Sequence, residues 1–139
     1  MADYRLLNYA GTHGEARPGL SVGDAMVDLD EAVKAYEASG KKAEFSTAST
    51  LTLLEKWDAA LPVLEAIADQ MDNGHAAARP LSEVRLMAPL LYPNAIFNAA
   101  SNYYAHREEM GGTAEPVDKT KVKPYFFLKS PVHTVIGPG

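Results

Sequence analysis

Apolar and polar positions change their spacing along the chain, and each change predicts a different kind of element. Residues 4–10 mix aromatic and aliphatic side chains as a strand does, and a glycine follows them. Residues 20–22 and 25–27 flank Gly23-Asp24, a two-residue connection that is typical of a tight hairpin. The opening of the chain therefore predicts a small antiparallel meander.

A helical pattern follows the meander. The three carboxylates of Asp-Leu-Asp-Glu at 28–31 suggest either a metal site or a helix start. The helix start explains every residue there, with Asp28 or Asp30 as the N-cap. Gly40 predicts the end of this helix. Pro62 marks either the first turn or a kink of a second helical region. That region carries one apolar stripe predicted to face the core: Leu54, Trp57, Leu61, Leu64, Ala68 and Met71.

The pattern becomes strand-like again after residues 76–80, which form the predicted boundary between two structural units. A strand near residues 94–98 precedes a short helical segment, and a dense apolar run then ends at Lys129. We expect an α+β protein with a small β-plus-helix lobe at 1–79 and the start of a β-rich domain at 80–139. Such a small open sheet leaves apolar surface and unpaired edges.

Composition narrows the classes of function. A net charge of -5 with scattered basic residues argues against a nucleic-acid partner. The absence of cysteine excludes disulfides, thiolate chemistry and cysteine metal sites. No apolar stretch approaches the ~20 residues that a membrane helix needs, and the N-terminus lacks the layout of a secretory signal. We therefore expect a cytoplasmic protein without a membrane partner.

His106 and Glu109 are the candidates for acid–base chemistry, because residues three apart share one face of a helix. Such a glutamate would accept a hydrogen bond from one imidazole nitrogen and leave the other free to take a proton from water. The spacing alone also suits a solvated helix face. Lys129 is either a surface lysine at a strand end or a cation directed at an anionic substrate. The pair Tyr103-Tyr104 suits a core or a pocket wall, and the core is favoured.

These residues together resemble the front of the catalytic domain in the fumarylacetoacetate hydrolase family. The shared motifs are Ser-Asn-Tyr-Tyr-Ala-His-Arg-Glu-Glu-Met-Gly at 101–111, Tyr-Phe-Phe-Leu-Lys-Ser-Pro at 125–131 and Ile-Gly-Pro-Gly at 136–139. The upstream lobe resembles, more loosely, the smaller N-terminal domain of longer family members. Ser130 departs from the pattern, because the family more often passes directly from lysine to proline.

The resemblance implies a homodimeric enzyme of aromatic catabolism that uses Mg²⁺ or Mn²⁺ to cleave a C–C bond in acylpyruvates or other β-diketo acids. It implies that His106 activates water, that Glu109 orients His106, and that Lys129 places water or stabilises the developing oxyanion. Ser101 and Tyr103 would contact the 2-oxo acid substrate. Relatives of the same fold instead decarboxylate, hydrate or isomerise 2-oxo acids.

The metal ligands of the family, a Glu-x-Glu pair and a later aspartate, lie downstream of the Ile-Gly-Pro turn. This chain contains no Glu-x-Glu. We therefore expect no metal ligand within the chain; the ligands would lie downstream of Gly139, in a further segment or a companion chain. The chain alone is then expected to be the inactive N-terminal part of an enzyme. The alternative is a non-catalytic binding or assembly module that kept the fold without the metal lobe.

Overall fold

The computed structural model describes residues 2–74, 78–100, 103–112, 118, 120–121, 123 and 125–138. It combines helices with antiparallel sheets, which confirms the mixed class expected from the sequence. The chain divides into two compact units. The first comprises Met1–Tyr92 with Val135–Gly139, and the second comprises Pro93–Thr134.

A five-stranded antiparallel sheet frames the first unit, in the order β4-β3-β2-β1-β5. Its strands are β1 (Tyr4–Ala10), β2 (Ala16–Val22), β3 (Ala25–Asp28), β4 (Arg79–Pro80) and β5 (Leu86–Met87). Val22 pairs with Ala25 across the two-residue turn. Gly23 in this turn has a φ of +54°, a conformation that glycine adopts without steric cost. The predicted meander and tight hairpin are confirmed.

The last two strands of this sheet come from the segment that follows residue 78. β4 pairs with β3, and β5 pairs with β1, so both belong to the first unit. The predicted domains meet at residue 79, whereas the compact units of the structure meet between Tyr92 and Pro93. The difference arises because these short strands complete the first sheet.

Helices accompany the sheet of the first unit: α1 (Leu29–Ala38), α2 (Thr50–Leu54), α3 (Trp57–Asp72) and a single 3₁₀ turn (Leu81–Glu83). The Asp28 carboxylate accepts a hydrogen bond from the backbone N–H of Glu31 at 3.0 Å, so Asp28 is the N-cap of α1. Ser49 caps α2 through a reciprocal bond with Thr52. Gly40 follows α1 with a φ of +86°, as the sequence predicts.

The core of the first unit lies between its sheet and its helices. The largest fully buried aliphatic side chains there are Leu20, Val27, Leu29, Leu53, Leu64 and Ile67. The predicted stripe is right for Leu64, Ala68 and Met71 but wrong for Leu54 and Trp57, which are 40% and 37% exposed. The buried face of α3 instead includes Ala60 and Val63, so it is rotated away from Trp57. Pro62 lies inside α3 and not in its first turn.

The second unit is a two-stranded antiparallel hairpin with short helices. Its elements are β6 (Ile96–Ala99), α4 (Tyr104–Glu109), β7 (Phe126–Lys129) and α5 (Pro131–Thr134). The register pairs Ile96 with Lys129 and Phe97 with Leu128. None of the residues described between 93 and 134 is fully buried. An isolated two-stranded hairpin is at best marginally stable in water, so local hydrogen bonds contribute much of the order in this unit.

Candidate functional site

α4 brings His106 and Glu109 together. Nδ1 of His106 lies 3.4 Å from Oε2 of Glu109, and both side chains are exposed. This distance is slightly longer than the hydrogen-bond range of about 2.7–3.2 Å. A carboxylate at Nδ1 favours the tautomer that carries the proton on that nitrogen, which leaves Nε2 as an acceptor. The geometry therefore allows the imidazole to act as a base with the carboxylate beside it, and this role remains a prediction.

Backbone hydrogen bonds hold the turn that carries this pair. The N–H of Arg107 donates to the Tyr103 carbonyl at 3.1 Å, and the N–H of Met110 donates to the His106 carbonyl at 3.2 Å. Gly111, with a φ of +80°, ends the helix. His106 and Glu109 thus occupy one closed helical turn, which explains why their side chains lie on the same face.

Lys129 is the last residue of β7 and is exposed. Its ammonium nitrogen lies 6.0 Å from the centroid of the Phe127 ring, at the outer limit of a cation–π contact, which is about 6 Å. Lys129 belongs to the same compact unit as the His106–Glu109 pair. Its role toward a substrate remains a prediction.

Asn98 is a polar residue of the second unit that the sequence did not single out as functional. Its Nδ2 atom is buried and has no hydrogen-bond partner in the described part of the chain. Directly paired residues and alternate residues of a strand share one face, so Asn98 and Lys129 lie on the same face of the β6–β7 hairpin. The sequence signal for Asn98 was a single amide side chain in an otherwise apolar strand. A strand this short does not reveal which of its faces other segments cover.

The tyrosines at the start of α4 correct one prediction. Tyr103 is 72% exposed, and Tyr104 is exposed as well. Their predicted place in a core is wrong, because α4 buries none of its residues. The substrate contact predicted for Tyr103 remains a prediction, and the one predicted for Ser101 lies outside the described residues.

A second cluster of titratable groups lies in the first unit, around Asp28. Its Oδ2 accepts hydrogen bonds from the Tyr9 hydroxyl at 2.5 Å and from Nε of Arg17 at 2.7 Å. Burial opposes ionisation of Asp28, but the hydrogen bonds from Arg17, Tyr9 and the Glu31 amide outweigh it and lower its pKa. Burial and the bond to Asp28 raise the pKa of Tyr9. Both oxygens of Asp28 are therefore engaged in holding β1, β2 and α1 together.

A groove of about 470 Å³ adjoins this cluster, and Arg17, Asp28 and Asp30 are among the residues that line it. Asp30 accepts hydrogen bonds from Lys34 and Thr47, so both aspartates already have partners. Within the described ranges, no group of three or more His, Asp and Glu side chains could hold a metal ion. These residues alone therefore do not form a ligand set for Mg²⁺ or Mn²⁺.

No protein-family model matches the chain, and no match is found among curated proteins or solved structures. In the part of the chain that the structure describes, no helix has the length and apolar character needed to cross a membrane.

Proposed function

We propose that this chain supplies the water-activating residues of a fumarylacetoacetate-hydrolase-type enzyme, which cleaves a C–C bond in acylpyruvates or related β-diketo acids. The observation that carries the proposal is the 3.4 Å approach of His106 Nδ1 to Glu109 Oε2 on an exposed helical turn. The motifs at residues 101–111, 125–131 and 136–139 support the class of enzyme and its family fold. Cytoplasmic location, a homodimer and a place in aromatic catabolism belong to the same proposal.

In the proposed reaction, Glu109 accepts a hydrogen bond from Nδ1–H of His106 and so directs Nε2 toward water. Nε2 removes a proton from the water, and the water oxygen attacks the acyl carbonyl. The C–C bond then breaks, its electron pair passes to the departing enolate, and the proton held on Nε2 of His106 converts that enolate to the 2-oxo acid. Lys129 supplies positive charge near the oxygen that becomes negative during attack.

A divalent cation in this class of enzyme stabilises the departing enolate. The described residues do not fit such an ion by themselves. We propose that a companion polypeptide holds the Mg²⁺ or Mn²⁺ that the family resemblance implies.

A second candidate function is a non-catalytic module that binds another polypeptide through the second unit. The observation in its favour is the exposed apolar surface of the hairpin, where Phe97 is 70% exposed and Leu128 is 67% exposed. Exposed apolar surface of this kind is typical of interaction sites.

Decarboxylation, hydration or isomerisation of a 2-oxo acid would use His106, Glu109 and Lys129 as well. The products distinguish these reactions from hydrolysis.

The test uses protein purified through a tag on this chain, together with every polypeptide that stays bound to it. The intact masses of all components are measured first, and hydrolysis of an acylpyruvate is then followed with added Mg²⁺ or Mn²⁺. We expect His106→Ala to lower kcat by about 10²–10⁴-fold, the usual contribution of a positioned base, while metal binding is retained.

The matched control is His133→Ala, because His133 is also exposed and lies on α5 of the same unit. It should turn over at the wild-type rate. Unchanged turnover of His106→Ala would refute the base assignment. A wild-type assembly that binds 2-oxo acids or a companion polypeptide without any turnover would support the non-catalytic module.

A further inference from the structure

α4 has little support from the rest of the described chain. It contains six residues, none of them buried, and Tyr103 at its N-cap position makes no side-chain capping bond. Isolated helices shorter than about 12–15 residues are marginal in water. Interactions at its C-terminal end therefore matter for the stability of the turn that carries His106 and Glu109.

Two consecutive glycines close that end. The N–H of Gly111 donates to the Glu108 carbonyl at 2.9 Å, and the N–H of Gly112 donates to the Arg107 carbonyl at 2.8 Å. These two bonds, with a left-handed residue at Gly111, form a Schellman motif, a cap that satisfies the last carbonyls of a helix. The two acceptor carbonyls belong to the residues between His106 and Glu109. The cap therefore closes the same turn that sets the distance between the imidazole and the carboxylate.

Both positions favour glycine, for different reasons. Gly111 has a φ of +80°, and a Cβ added there would meet nothing within 4 Å, so the cost of a larger residue is conformational. A Cβ added at Gly112 would lie 3.0 Å from the Arg107 carbonyl oxygen, so the cost there is steric. Neither glycine touches the imidazole or carboxylate through a side chain.

We infer that Gly111 and Gly112 are positioning residues, which hold Glu109 against His106 through the cap of α4. The catalytic meaning of this inference rests on the proposed function. It adds that the orientation of the base is set by the backbone that follows Glu109. Loss of the cap should release the carboxylate from Nδ1, and the imidazole should then lose its preference for the tautomer with the proton on Nδ1.

The chain offers a matched control for the conformational cost. Gly74 follows α3 with a φ of +88°, and a Cβ added there also meets nothing within 4 Å. Gly74→Ala in the first unit therefore introduces the same kind of backbone strain as Gly111→Ala. Gly111→Asn is the rescue variant, because asparagine adopts the left-handed conformation more readily than alanine.

The experiment records ¹⁵N NMR shifts of the His106 ring nitrogens in the full chain, at a pH where the imidazole is neutral. Circular dichroism confirms that each variant is folded. We expect Gly111→Ala to lower the ratio of capped to uncapped helix ends by about 5- to 30-fold, the effect of one or two kcal/mol. The proton should then move from Nδ1 toward Nε2. Gly74→Ala should leave the His106 shifts unchanged, and Gly111→Asn should restore them.

Unchanged His106 shifts in folded Gly111→Ala would overturn the inference, and so would an equal change in Gly74→Ala. The NMR measurement needs no turnover, so its result is independent of the proposed reaction. A tautomer change in Gly111→Ala supports the positioning role even if the wild-type assembly hydrolyses nothing. Conversely, an inactive His106→Ala variant with unchanged shifts in Gly111→Ala supports the hydrolase and contradicts the positioning role.

Discussion

The two compact units differ in how their residues are held. The first unit buries a continuous set of aliphatic side chains between a five-stranded sheet and its helices. The second unit fully buries none of its described residues and consists of a hairpin and short helices. Packing therefore determines the structure of the first unit, whereas strand register and helix caps determine that of the second.

The polar groups of the two units also differ in how far they are buried and in the partners they bind. Asp28 in the first unit is buried, and its two oxygens accept hydrogen bonds from Tyr9, Arg17 and the Glu31 amide. His106 and Glu109 in the second unit are exposed and contact each other across one helical turn. A network with fully engaged partners stabilises a fold, whereas an exposed pair remains accessible to water and to a substrate. This contrast supports the proposal that the second unit carries the chemistry.

Replacing one leucine by alanine in each unit should give the largest difference in stability between the two units. Leu64 is fully buried in the first unit, and Leu128 is 67% exposed in the second. Leu64→Ala should lower the free energy of unfolding by about 2–5 kcal/mol, because it removes buried methyl groups and leaves a cavity. Leu128→Ala should change it by no more than about 0.5 kcal/mol.

Urea unfolding measures both variants. Fluorescence of Trp57, the single tryptophan of the chain, reports on the first unit, and far-UV circular dichroism reports on the whole chain. A loss in Leu128→Ala as large as that in Leu64→Ala would contradict the comparison, because it would show that the hairpin has a core of its own.

A smaller effect is expected from removing one buried charge. Asp28→Asn keeps a capping residue but removes the carboxylate that Arg17 and Tyr9 bind. It should lower the stability at neutral pH by about 1.5–3 kcal/mol, the usual contribution of a hydrogen bond to a charged group. The control is Asp118→Asn in the second unit, where the exposed aspartate bonds Thr120, and we expect no measurable change.

The pH dependence sharpens this prediction. The pKa of Asp28 is lowered in the folded state, so its contribution is present above the ordinary value of about 3.9 and is lost as the pH falls through the folded pKa. Urea midpoints measured between neutral and acidic pH should therefore fall less steeply for Asp28→Asn than for the wild type. Equal slopes would show that Asp28 does not contribute to the acid sensitivity of the fold.

Local signals in the sequence predicted much of the first unit. The hairpin at Gly23, the cap at Asp28 and the helix end at Gly40 each depend on residues within one turn of the chain, and the structure contains all three. The buried face of α3 could not be predicted in the same way. It depends on which side of the helix meets the sheet, and for this reason Trp57 is exposed.

Strand pairing between distant segments of the chain could not be predicted from the sequence. β4 and β5 complete the first sheet through partners more than fifty residues away in sequence, and no local pattern specifies such partners. For the candidate site, the spacing of His106 and Glu109 was sufficient, because one helical turn fixes their contact. The exposure of Tyr103 and the burial of the Asn98 amide could not be predicted, since both depend on which surfaces other segments cover.

The most direct test of the central claim compares two adjacent glutamates on α4. Glu109 contacts His106, whereas Glu108 contributes its backbone carbonyl to the helix cap. Both substitutions to glutamine keep the side-chain shape and remove one charge, and kcat for acylpyruvate hydrolysis is measured in the assembled protein with Mg²⁺. We predict that Glu109→Gln lowers kcat by at least about 10-fold with little change in KM, because the imidazole loses its orienting carboxylate, and that Glu108→Gln remains at the wild-type rate. Equal rates for the two variants would contradict the assignment of His106 and Glu109 as the water-activating pair.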